Sequence, residues 1–154
     1  MGTISDVLME QYGRAWDMAR ELIGGFGADE WRSGHSPGLV PARWALHALD
    51  AADFYSRSEV EGFASEVRHI DWAGPADAIP DQQWALQYLG RVAGRAREWM
   101  ATVSDDAWLG PTPFHWTGRT MLDTGCYNLR HLLYHLGEVS MLLRQAGAEE
   151  TAWR

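Results

Sequence analysis

NLRHLLYHLGEVSMLLRQAG, residues 128–147, is the stretch on which the reading of the whole chain turns. It is rich in leucine, lacks proline, and repeats its apolar residues at helical spacing. On a helical wheel that sets His131 at zero, His135 falls near 40° and Glu138 near −20°, while Leu129, Leu132, Leu136, Val139 and Leu143 gather between about 80° and 160°. The histidines therefore sit on the shoulder of a buried apolar stripe. Two neutral imidazoles one turn apart can both reach a single ion at about 2.0–2.1 Å, which is why this spacing recurs in zinc-binding helices. The same pair also arises by chance, so a metal site requires a third ligand from elsewhere.

Upstream, Thr120 and Asp123 have the spacing of a capping box, and Arg144 in the last turn with Gly147 beyond it ends the segment, giving a helix from about residue 121 to 146. Three further amphipathic helices are expected. The first runs over residues 4–26, with Thr3 and Asp6 as a capping box and Gly24, Gly25 and Gly27 at its exit. The second begins at Pro41 and reads PARWALHALDAADFYSR, with Trp44, Ala48, Ala51 and Tyr55 on one face and His47 beside them. A histidine pointing among small and aromatic residues needs a partner, either a hydrogen-bonding carboxylate or a metal. The third runs over residues 81–103, with Arg91, Arg95, Arg97 and Glu98 read as its solvated face. Between the second and third helices, residues 56–79 form a connector broken at Gly74 and Pro75, long enough to let the two run parallel. Residues 28–40 and 104–120 read as connections, the second packed by its aromatics, and His35, His69 and His115 read as loop histidines. The tail AEETAWR reads as a frayed end.

The chain of 154 residues suits one domain over 1–154, with nine tryptophans supplying large apolar area to its core. A net charge of −8 and no cluster of Lys and Arg argue against nucleic acid or an anionic membrane as partner. Cys126 is the only cysteine, which excludes an internal disulfide and a cysteine zinc cage and points to a reducing, cytoplasmic setting. Cys126 also falls opposite the histidines on the wheel. Neither a signal peptide nor an 18-residue apolar run is expected.

Four amphipathic helices, a histidine in WALHALDAADFY and the later text HLLYHLGEVSMLLRQAG together resemble the DinB/YfiT-like superfamily. Carried over residue by residue, that resemblance implies metal ligands at His47, His131 and His135, with Gly137, Leu143, Arg144 and Gly147 matching the structural part of the signature. Glu138 stands where many relatives have glutamine, so its role is not inherited. The resemblance implies an all-α fold, a four-helix bundle with a long crossover between the second and third helices. It also implies a homodimer and one divalent ion, zinc or nickel. Relatives of known activity are mostly thiol-dependent transferases or isomerases.

Three neutral histidines would leave a dication its full charge and an open position, the arrangement of a catalytic site rather than a structural one. With Cys126 facing away, the reactive sulfur would come from a small-molecule thiol acting on a small electrophile. Glu138, Tyr127 and Tyr134, on the flanks of the histidines, are the candidate catalytic or supporting side chains, and ordinary helix packing is the alternative for both tyrosines. Two rival readings stand beside this one: a metal- or ligand-binding stress protein without catalysis, and three unrelated histidines.

Overall fold

Helix ends in this chain are set largely by residues the backbone can bond to, as the computed structural model, which describes residues 2–148, makes plain. In α6 (Met121–Gln145) the Thr120 hydroxyl accepts from the Asp123 amide, and the Asp123 carboxylate accepts from the Thr120 amide at 2.9 Å, the expected capping box. Gly147 follows with φ +90°, a conformation that disfavours any residue with a Cβ. Asp81 caps α4 (Gln82–Thr102) by accepting from the Trp84 amide at 2.8 Å, and Pro41 opens α3 (Pro41–Tyr55).

The start of α1 (Thr3–Gly24) differs from the sequence expectation. Thr3 lies inside the first turn instead of capping it with Asp6. The carboxylate of Asp105 takes over, accepting from the Thr3 and Ile4 amides at 3.1 and 3.0 Å. Asp105 opens α5 (Asp105–Leu109), a short helix within the segment read as a packed loop, and α2 (Ala28–Arg32) is a short helix within the first connection. No strand is present among the described residues. The tail expectation falls mostly on residues 149–154, outside the described residues.

The four long helices share one core, and cross-helix partners give their directions. Tyr88 and Arg95 of α4 bond Asp50 and Asp53 of α3, so partner numbers rise together and the two helices run parallel. Asn128 of α6 donates to the Ala52 carbonyl of α3 while His135 stacks on Trp44, so these helices run antiparallel. Tyr12 of α1 donates to the Gly125 carbonyl of α6, and Gln82 at the start of α4 reaches the carbonyls of Ile23 and Phe26 at the end of α1. The directions run up, down, down, up, with residues 56–81 crossing between the parallel pair. Buried Val67 and Ile79 pin that crossing to the core. Gly125 brings α6 close to α1 and α5: a Cβ there would sit 3.3 Å from both Leu8 and Trp108 side-chain atoms, which would have to give way slightly.

On α3 the buried face is Ala42, Ala45, Leu46, Ala48, Leu49 and Ala52, not the Trp44, Ala48, Ala51, Tyr55 face that the wheel suggested. Trp44, Ala51 and Tyr55 are half-buried. They border the core because small alanines let α3 approach its neighbours more closely on the other side. The shift brings His47 to the surface. Arg91 and Arg95, expected as plain solvated charges, instead clamp Glu66 and Asp53 at 2.6 Å and tie the crossing segment to α4.

Candidate metal centre

Two helices supply the candidate centre. His47 sits midway along α3, and His131 and His135 lie one turn apart on the face of α6 that meets it. Each offers a ring nitrogen, and the three nitrogens all lie within 4.8 Å of one another. Burial rises from exposed His47 through half-buried His131 to buried His135, so the group opens to solvent on the α3 side. The sequence expectation of a ligand pair on the shoulder of α6 joined by His47 matches this arrangement. The histidines of the loops, His35, His69 and His115, are exposed and stand apart from it.

His135 is the most firmly held of the three. Its Nδ1 lies 2.6 Å from the Glu138 carboxylate, and its ring stacks on Trp44 at 5.2 Å with the planes 12° apart. A carboxylate accepts, so Nδ1 donates to Glu138 and Nε2 is the ring nitrogen turned toward the other histidines. That Nε2 lies 3.2 Å from Nε2 of His131. Two imidazole nitrogens on one tetrahedral ion at about 2.0–2.1 Å are themselves separated by about 3.3 Å, so the spacing fits a shared ion. His131 is held differently: its Nδ1 is buried without a hydrogen-bond partner, and the Tyr127 ring stacks beside it at 6.1 Å. A set of imidazole nitrogens suits a divalent transition-metal ion.

The electrostatics favour the neutral form of His131 and His47. Burial, then the neighbouring His135 and His47, push the His131 pKa down to about 4. His47 is also lowered, first by the protein packed round it and then by His135, with Arg43 adding to the effect and Asp50 and Glu138 opposing it. Imidazoles that resist protonation are available as ligands at neutral pH without first shedding a proton.

Of the candidate supporting residues, Glu138 bonds a histidine directly. Tyr127 stacks on His131, and Tyr134 sets its edge against His135 at 5.1 Å while remaining largely exposed. The sequence pattern places Trp44 on the packed face of α3, and the structure puts it at the edge of the core. Its lead was its place three residues before His47, on the same side of α3. Its indole N–H donates to the Gly38 carbonyl at 2.7 Å, which fixes the ring as a wall beside His135. On the far side, Tyr55 packs on Tyr127 and accepts from the indole N–H of Trp116, extending an aromatic border away from His131. Cys126 is exposed and is not among the clustered ligands, as expected from the wheel. Thr124, which shares the histidine side of the wheel, is instead bonded to Thr112 and Thr117.

No protein-family model matches the chain, and no curated protein matches it. The chemistry of the centre rests on its own residues: three imidazole nitrogen donors, one carboxylate behind a donor, an aromatic wall on each side and one open side.

Proposed function

We propose that the chain is a DinB-like four-helix-bundle protein that holds one divalent ion, zinc or nickel, on His47, His131 and His135 and uses it to act on a small electrophile with a low-molecular-weight thiol, by transfer or isomerisation. The observation that carries the metal part is the convergence of three imidazoles from two helices, with one of them oriented by Glu138. The reaction class rests on the sequence resemblance and on Cys126 lying outside the cluster. A cytoplasmic homodimer belongs to the same proposal. No helix is long and apolar enough to cross a membrane among the described residues.

A divalent ion held by three neutral donors supplies a Lewis acid with an open position, able to lower the pKa of a thiol or water that reaches it. The protein's part is orientation and shielding. Glu138 fixes the tautomer and rotation of His135, as an outer carboxylate does for a ligating imidazole. Trp44 and Tyr127 exclude water from two sides of the cluster and leave entry past exposed His47. Tyr134 is placed to hydrogen-bond a substrate at the rim.

The test is metal analysis of tag-free protein followed by assays with bacillithiol, mycothiol, glutathione and coenzyme A against model electrophiles, with metal-free protein and His135→Ala as controls. The proposal expects one ion per chain and thiol consumption above both controls. One ion per chain with no thiol binding or turnover would replace it with the reading of a non-catalytic metal-binding protein.

A further inference from the structure

The chain carries 21 acidic residues against 13 Lys and Arg, yet the charged side chains bordering the aromatic walls of the centre are two arginines. Arg43, half-buried and one turn before His47 on α3, lies over the Trp44 ring at 5.6 Å, the same ring that stacks on His135. Arg130, next to His131 on α6 and exposed, lies over the Tyr127 ring at 5.5 Å, the ring that stacks beside His131. Each of the two walls thus carries one guanidinium. Arg14, Arg91 and Arg95, by contrast, are matched to the carboxylates of Glu10, Glu66 and Asp53. Neither Arg43 nor Arg130 has such a partner among the described residues, and the hydrogen bond of Arg43 goes to the Pro37 carbonyl. The acids nearest His47 are already engaged, Asp50 by the Tyr88 hydroxyl and Glu138 by His135.

A guanidinium resting on an aromatic face keeps most of its N–H groups free for a planar anion, and its position is set by the ring beneath it. We propose that Arg43 and Arg130 are specificity-determining residues that read a carboxylate on the small molecule bound at the histidines, so that the site selects acidic ligands over neutral ones of the same length. This rests on the metal and thiol reading above and names the substrate class for it. An apolar stem lies against Trp44 or Tyr127 while the carboxylate reaches the guanidinium above that ring.

The test uses the cobalt-loaded full chain, titrated with 6-mercaptohexanoate and with 6-mercaptohexanol and followed by the sulfur-to-cobalt absorption. The acid is expected to bind about tenfold more tightly than the alcohol at low salt, the scale of one charge-assisted hydrogen bond. That preference should shrink as salt is added. It should vanish in the Arg43→Gln, Arg130→Gln double variant with cobalt content unchanged, and return in large part in Arg43→Lys, Arg130→Lys. Equal binding of the two thiols by the wild type, or a preference that survives in the double Gln variant, overturns the assignment of these arginines while leaving the metal reading intact. Failure of the chain to take up cobalt, or of both thiols to bind, overturns the underlying reading and this inference with it.

Discussion

Two polar clusters inside this helical protein resolve their hydrogen bonds in opposite ways. At the meeting of α1, α4 and α5, the Ser5 hydroxyl accepts from the Trp108 indole N–H at 2.8 Å and lies within hydrogen-bond reach of the Met100 and Val103 carbonyls at 2.8 and 3.0 Å. Ser5 and Trp108 are fully buried, and each polar atom there has a partner. Between α3 and α6, three imidazoles face one another, the Nε2 atoms of His131 and His135 lie 3.2 Å apart, and the Nδ1 of His131 has no partner. The first cluster is closed and contributes to the fold. The second leaves ring nitrogens that could hold a cation, and that difference separates a structural polar network from a candidate binding site.

The largest expected effect breaks the comparison at its open side. Loading with zinc should raise the melting temperature of the wild type, because a ligand that binds only the native state adds about 2.7 kcal/mol at a hundred times its Kd. Differential scanning calorimetry should show this rise lost in the His47→Ala, His131→Ala double variant. A zinc-induced rise of the same size in that variant would mean the open cluster is not where the ion binds.

At the closed cluster the expectation reverses. Ser5→Ala strands the Trp108 indole N–H and should cost about 1–3 kcal/mol in urea unfolding, with zinc uptake per folded chain unchanged. A loss of metal affinity in Ser5→Ala would show that the two clusters are coupled.

Glu138→Gln tests the link between His135 and its carboxylate. Glutamine can still accept from Nδ1 but without charge, so the fold and one-to-one loading at saturating zinc should persist while affinity falls by about tenfold, the lower end for outer partners of a ligating histidine. Competition with a chromophoric chelator measures it. Complete loss of loading would make Glu138 a ligand in its own right.

The smallest effect concerns the exposed ion pairs outside both clusters. Hydrogen bonding to Arg91 is the main reason the Glu66 carboxyl is held below its usual range, with burial opposing and Arg95 assisting. A lowered acid contributes stability above its unfolded value, near 4.3, and loses it as pH falls through the lower folded value. Because the pair is well exposed, the whole contribution should be within about 1 kcal/mol. Arg91→Gln should flatten that part of the stability curve between pH 5 and 3, as followed by urea midpoints, and leave the curve above pH 5 parallel to the wild type.

Local signals made much of this legible. The four long helices, their proline and capping-box ends at Pro41 and Thr120, and the parallel course allowed by a long connector follow from periodicity and turn chemistry within a few residues of each feature. His131 and His135 were readable because one helix fixes their relation. His47 took its place only through the family resemblance, since nothing local says which face of α3 meets α6. What stayed hidden depends on partners far along the chain. Asp105 caps α1 across about a hundred residues, Arg95 finds Asp53 and Glu66 from two other segments, and a face of small alanines turned α3 so that Trp44 became a wall beside His135 rather than core. Patterns within a helix specify its apolar stripe, while the choice among its edges is made by the shape of the neighbours.

The most direct test of the central claim is X-ray absorption spectroscopy of the stoichiometrically zinc-loaded full chain. The account predicts three imidazole nitrogens at about 2.0–2.1 Å, with the remaining coordination from light oxygen scatterers, and a loss of imidazole scattering in His47→Ala. A sulfur shell at about 2.3 Å, which only Cys126 or a methionine could supply, or an unchanged imidazole count in His47→Ala, would contradict it.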